Sequence, residues 1–138
     1  MREFIAVTKA LADESRVRIL MALAHRELCL CQLIEMLGLA PSTVSKHMAI
    51  LTQAGLTECR KAGRWHYYRL ADNRPGAEQG IQVTLDWVKA MTQKSPVVLG
   101  DRMRLQCISS KEIEEVSACY PRTTNNEQRS FRRGARRR

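Results

Sequence analysis

Residues 40–56 read APSTVSKHMAILTQAGL, and the fold turns on how this stretch is read. Pro41 suits the first turn of a helix, where its missing N–H costs nothing, and Gly55 suits the exit, so the two bracket about four helical turns. At about 100° per residue, Val44, Met48 and Leu51 fall on one side, a stripe for a core. Ser42, Thr43, Ser45, Lys46, Ala49 and Gln53 fall on the other, and His47 lies at the margin. A helix whose outer face is short hydroxyl side chains plus a lysine is built to come close to something polar. Solvent meets that description, and so does the edge of a nucleic-acid base pair, where Ser and Thr oxygens reach bases or phosphates and Lys46 adds charge.

The flanking segments favour the second partner. Upstream, Leu33-Ile34-Glu35-Met36-Leu37 is a short apolar helix stopped by Gly38, the residue that tolerates the left-handed position after a helix. A short helix, a turn over Gly38-Leu39-Ala40 and a polar-faced helix make a helix-turn-helix. Downstream, LTECRKAGRWHYYRL (residues 56–70) holds two β-prone runs around Ala62-Gly63, with Lys61 and Arg64 as cations at the tip of the expected hairpin. Such a wing lays Lys61 and Arg64 along phosphates or into a minor groove. Trp65, Tyr67 and Tyr68 read as strand packing rather than base-stacking residues. Two amphipathic helices precede this unit, one over residues 2–11 with Phe4, Val7 and Leu11 at helical spacing, the next from Asp13 or Ser15 to Leu23. After it, GIQVTLDWVKAMTQ carries Ile81, Leu85 and Val88 on one stripe, for packing or contact between copies.

The 138 residues, 44% of them hydrophobic, suffice for one domain with a modest core. No apolar run approaches the roughly 18 residues of a membrane span, and MREFIAVTK lacks a signal-peptide layout, so a cytoplasmic protein is expected. Residues 122–138, RTTNNEQRSFRRGARRR, carry seven arginines and one glutamate, +6 of the chain's +9, which leaves +3 for residues 1–121. With so little apolar content this tail is expected to be disordered, either a solvated extension or a nonspecific phosphate-binding arm. The expected organisation is a winged-helix unit over 1–94, short helices over 95–121, and the tail.

Five cysteines without a disulfide-framework spacing point to free thiols or soft-metal ligands. Two of them, Cys29 and Cys31, lie one residue apart in ELCLCQL (27–33). Within a helix such a pair points about 200° apart, whereas in an extended segment both side chains share one side. If the empty protein is helical there, a thiophilic guest atom would favour an unwound start to the third helix and so disturb the reading helix beside it. Trivalent arsenic or antimony is the soft guest such thiolates suit.

The order ALADESRVRILMAL, ELCLCQL, APSTVSKHMAILTQAGL, GRWHYYRL resembles the ArsR/SmtB family of metal-sensing bacterial repressors over roughly residues 2–92. ELCLCQL is similar to the ELCVCDL-type signature of the arsenic- and antimony-responsive members. The resemblance implies a mainly α winged-helix homodimer with a small β-hairpin and terminal helices at its interface. It also implies an operator held by the empty protein and released when arsenite or antimonite binds. The operator would be an inverted repeat with half-sites about one helical turn apart, or a multiple of it. The family often has a third cysteine three residues after the second. That position is Ile34, leaving Cys107 or Cys119 as candidate third ligands ahead of Cys59, which reads as packing, or a small thiol or hydroxide from solution. Asp86 is followed by Trp87 and Val88 without the histidines of the family's zinc site, and no cysteine precedes Cys29 as in its cadmium and lead type. Two further readings stand beside this one: a redox switch on the same cysteines, released by peroxide, and a small thiol oxidoreductase or arsenate reductase, for which no anion loop, CxxC or paired base is present.

Overall fold

The computed structural model describes residues 1–73 and 78–109. Among these residues, six helices and three short strands follow one another as α1 (Arg2–Leu11), α2 (Glu14–Leu23), β1 (Leu28–Cys29), α3 (Leu30–Leu37), α4 (Pro41–Gln53), β2 (Thr57–Ala62), β3 (Trp65–Leu70), α5 (Gln79–Thr92) and α6 (Pro96–Ser109). A single 3-10 turn, Ala71–Asn73, follows β3. This is the expected winged helix-turn-helix, with α3 and α4 as the helix pair and β2 and β3 as the wing.

Local chemistry sets the boundaries. Asp13, extended at φ −139° and ψ 129°, caps α2 by accepting the Arg16 N–H at 3.2 Å. Gly38 ends α3 at φ +65°, with its N–H donating to the Ile34 carbonyl at 2.9 Å. Pro41 opens α4. The inward stripe is as expected: Val44, Met48 and Leu51 are all buried, against Ile19, Leu20, Leu33, Met36 and Leu56. Thr57 is buried as well, and its hydroxyl is satisfied by Thr52 Oγ1 at 3.1 Å, which ties the end of the reading helix to the first wing strand.

Two features depart from the sequence reading. The hairpin turns one residue later than expected. Ala62 pairs with Trp65, so Gly63 and Arg64 form the two-residue loop, and Gly63 at φ +58° is the first central residue, where type II′ turns take glycine. The wing is also not an isolated hairpin. Leu28 and Cys29 pair antiparallel with Tyr68 and Tyr67, giving a three-stranded sheet in the order β1-β3-β2.

Beyond α5, α6 is one helix of 14 residues for its described part, and it packs on both α2 and α3. Leu105 and Ile108 enter the main core, while Val98 joins Met21 and Val88 in a smaller cluster that Leu11 also touches. Asp101, 5% exposed, accepts a bidentate pair from Arg18 (Nε 2.7 Å, Nη2 2.8 Å). Burial would normally depress a guanidinium, but this hydrogen bonding to Asp101 outweighs it and raises the Arg18 pKa. Cys119, the part of the expected short helices beyond Ser109 and the arginine-rich tail fall outside the described residues.

Candidate sensor site and DNA-reading face

Cys29 is the N-cap of α3, extended at φ −80° and ψ 155°, and Cys31 is the second residue of that helix's first turn. Their Cα atoms are 5.4 Å apart and their sulfurs are joined as a disulfide. The expected conflict between a splayed helical pair and a convergent extended pair is resolved by this capping position. The intervening Leu30 is helical, which keeps the Cα atoms closer than in a strand. The extended ψ of Cys29 folds its side chain over the first turn, where N-cap side chains meet the second and third helical residues. No unwinding of α3 is needed to bring the sulfurs together, which corrects the mechanism inferred from helix periodicity. The Cys29 N–H is satisfied by Gln32 Oε1 at 2.9 Å, the returning half of a capping box.

The site is largely closed from solvent, with Cys29 1% and Cys31 8% exposed. Ile34, at the family's third-cysteine position, is buried and offers no donor. Cys107 lies on the exposed side of α6 and is not disulfide-bonded. Cys59 corrects the packing assignment: it is exposed on β2, with its sulfur 3.7 Å from His66 Nδ1. Its neighbour across the ladder, Tyr68, has its hydroxyl pKa pushed up to about 12, first by burial and then by Cys59. Among the described residues no three His, Cys, Asp or Glu side chains are grouped to hold a metal ion.

The outer face of α4 is exposed as the helix period predicts. Ser42, Thr43, Ser45, Lys46, Ala49 and Gln53 are exposed along α4. His47 is half-buried, and its Nδ1 lies 3.3 Å from Arg16 Nη1, so the ring accepts through Nδ1 and carries its proton on Nε2. Arg16 also donates to the Ala10 carbonyl at 2.7 Å and the Lys9 carbonyl at 3.1 Å, joining α1, α2 and the reading helix. Nothing in the residue types announced this link. Lys61 and Arg64 are exposed at the wing, Arg64 stacking on Trp65 at 4.9 Å. Tyr67 and Tyr68 pack against the core, as expected of strand aromatics. Elsewhere, Phe4 and Ile5 on α1 are exposed, and Val83, Trp87 and Met91 make an exposed apolar stripe at four-residue spacing on α5.

Known proteins are similar to this chain in sequence and in fold. The family model described as "Bacterial regulatory protein, arsR family" matches residues 13–58. The arsenic resistance transcriptional regulator ArsR2 of Pseudomonas putida is 30% identical over 115 residues, 82% of this chain and 95% of that protein. ArsR1 of the same organism is 38% identical over 66% of each chain. The arsenical resistance operon repressor of Escherichia coli is 40% identical over 51% of this chain and 62% of its own. Against ArsR1 and the Escherichia coli repressor, therefore, the chain spans only about two-thirds of their length. Among solved structures, the homodimeric winged helix-turn-helix DNA-binding domain of Mb0332 from Mycobacterium bovis has a TM-score of 0.56 at 27% identity, covering 67% of this chain and 81% of that one. HlyU from Vibrio cholerae gives 0.56 at 26%, covering 67% and 95%. With the winged helix-turn-helix in place and ArsR2 matched over nearly its whole length, the chain belongs to the ArsR family of bacterial regulatory proteins.

Proposed function

We propose that this chain is a dimeric DNA-binding repressor of a metalloid-resistance operon, released from its operator when trivalent arsenic or antimony binds Cys29 and Cys31. The observation that carries the reading is the capping geometry: two sulfurs converge at the first turn of the helix preceding the reading helix, in a largely buried site. Once thiol–disulfide exchange with two equivalents of a small cytoplasmic thiol, which leave as their own disulfide, has reduced the bond, the pair offers two soft thiolates to one soft atom. A third ligand from Cys107, Cys119 or solution would complete it. Ser42, Thr43, Ser45, Lys46 and His47 face the major groove in this reading, and Lys61 and Arg64 hold flanking phosphates. The partner's copy covers the apolar stripe of α5 and the exposed residues of α1, giving the two-fold arrangement that an inverted repeat requires. The names of the arsenical relatives support the choice of inducer, and the protein acts in the cytoplasm, where its DNA is.

The bond between Cys29 and Cys31 favours one alternative, in which oxidation of the pair is itself the signal. An enzymatic role is set aside, because the family is one of regulatory proteins. Fluorescence anisotropy on the operator, titrated with arsenite, antimonite, zinc and peroxide, separates the readings. The expected result is release by arsenite or antimonite in the reduced wild type, by about 5- to 150-fold in affinity, and no release in Cys29→Ser/Cys31→Ser, which still binds DNA. Release by peroxide alone transfers the function to the redox reading. Equal release from wild type and the double variant removes the cysteine assignment altogether.

A further inference from the structure

The cysteine pair is wired to the wing as well as to the reading helix. Cys29 is the last residue of β1, and β1 is the edge strand hydrogen-bonded to the central wing strand β3. In the ladder, Cys29 stands opposite Tyr67, and Tyr67 stands opposite Arg60 on β2. Residues paired in this way share one face of the sheet. Two positions before Cys29 and just outside β1, Glu27 reaches across β3 to the same Arg60. The Arg60 Nη2 and Nε both donate to the Glu27 carboxylate, the latter at 3.5 Å. The Arg60 guanidinium also lies over the Tyr67 ring at 4.8 Å. This hydrogen bonding holds the Glu27 carboxyl below its ordinary pKa, so the pair stays ionised at neutral pH.

We propose that Glu27 and Arg60 form a strut that carries the state of the Cys29/Cys31 pair to the outer strand of the wing, making Arg60 a positioning residue for DNA contact. The strut rests on the reading of the cysteines as the inducer site. When a guest atom re-spaces the two sulfurs, the backbone of Cys29 moves with them. Two ties run from that segment to the wing: the ladder to Tyr67, and the ion pair from Glu27 to Arg60, next to Lys61. A change at the cysteines thereby re-aims the strand bearing the wing's cations, and phosphate contacts formed in the empty state are lost. A second ion pair on the same hairpin provides a built-in comparison. Glu58 accepts from Arg69 at 2.9 and 3.1 Å, joining β2 to β3, and the Arg69 charge reaches Glu27 only as a contribution smaller than the hydrogen bond and charge of Arg60.

The test measures operator affinity with and without arsenite for wild type, Glu27→Gln, Arg60→Gln, the double variant and Glu58→Gln. Arsenite bound to thiolate is followed in the same samples by near-ultraviolet absorption, and folding by circular dichroism. Arsenite should still bind every variant. The ratio of affinities should fall by at least about threefold in Glu27→Gln and in Arg60→Gln, within the 2- to 30-fold range of residues along a coupling network. The double variant should lose no more than either single one, and Glu58→Gln should match wild type. An unchanged ratio in Glu27→Gln with arsenite bound overturns the strut. So does an equal fall in Glu58→Gln, which would mark a general charge effect, or a fall confined to Arg60→Gln, which would mark a phosphate contact without a link to the sensor. If wild type takes up no arsenite through Cys29 and Cys31, the inducer reading itself fails and the strut falls with it.

Discussion

The two ends of α3 are held in different ways. Around its C-terminal half, α6 lies across α3 and α2 with Leu105 and Ile108 in the core. Arg104 Nη1 donates to the Met36 carbonyl at 3.1 Å, and the bidentate Arg18–Asp101 pair is largely desolvated. At the N-terminal end Leu28, Cys29 and Cys31 are buried as well, but the polar ties are lighter: a two-residue strand, one side-chain cap from Gln32, a bond from Arg26 to the Leu105 carbonyl and an ion pair whose arginine is 58% exposed. Buried apolar area and buried charge pairs resist displacement, whereas an exposed ion pair is worth little and a short edge strand little more. The polar ties are thus weaker at the end of α3 where the cysteines are. In the proposed reading, the α6 clamp gives the cysteine pair something to push against.

Leu105→Ala is the most direct way to break this contrast. Alanine keeps the helix propensity of α6, so the change isolates the buried side chain. A loss of about 2–4 kcal/mol is expected from burial and cavity terms, read as a lower urea midpoint with an unchanged slope. If the loss stays below about 1 kcal/mol, a value typical of peripheral sites, α6 is an appendage and the fixed end of α3 must be sought elsewhere.

How much of this was legible beforehand follows from the length scale of each signal. Helix α4 was readable because 13 residues repeat the 3.6 period, and Gly38 and Pro41 mark its approaches. The wing was readable from its β-prone runs, but its turn was misplaced by one residue, because Ala62-Gly63 and Gly63-Arg64 both offer a glycine. Strand β1 was not readable: two residues hold no alternation, and Leu28–Cys29 is a strand only because β3 has an open edge beside it. The convergence of Cys29 and Cys31 was expected only in an extended segment drawn out by a guest atom, and its occurrence at a helix cap was not readable, since periodicity rules describe helix and strand and are silent on the single residue between them. The partners of Arg16, Glu27 and Arg18 lie 31, 33 and 83 positions away and follow from tertiary packing alone.

Gln32→Ala sharpens the contrast from the lightly held end. It removes the acceptor for the Cys29 N–H without touching either sulfur. The expected cost is about 0.5–1.5 kcal/mol, the net worth of one side-chain cap, well under that of Leu105→Ala. Amide hydrogen exchange should show faster opening confined to residues 28–33, with the Leu33–Leu37 segment unchanged. Loosening that spreads through all of α3 would mean that the helix moves as one body and that its two ends are not independent.

The smallest expected effect is a pH dependence on the clamped side. His25 Nε2 lies 2.6 Å from Arg102 Nη2 of α6, and its pKa is lowered from 6.5, first by burial and then by the Arg102 charge. A histidine with a depressed folded pKa contributes stability that is present above its unfolded value and is lost as pH falls through the folded one, because the unfolded chain binds the extra proton first. The urea midpoint of wild type should therefore decline as pH drops below about 6.5, the unfolded histidine value. Part of that decline should vanish in His25→Gln, which accepts from Arg102 without gaining a proton. Operator affinity, read through α4 on the other side of the core, should show no such difference between the two proteins. If His25→Gln flattens the pH profile of DNA binding as well, the α6 clamp communicates with the reading helix, and the fixed end of α3 carries signal rather than merely resisting it.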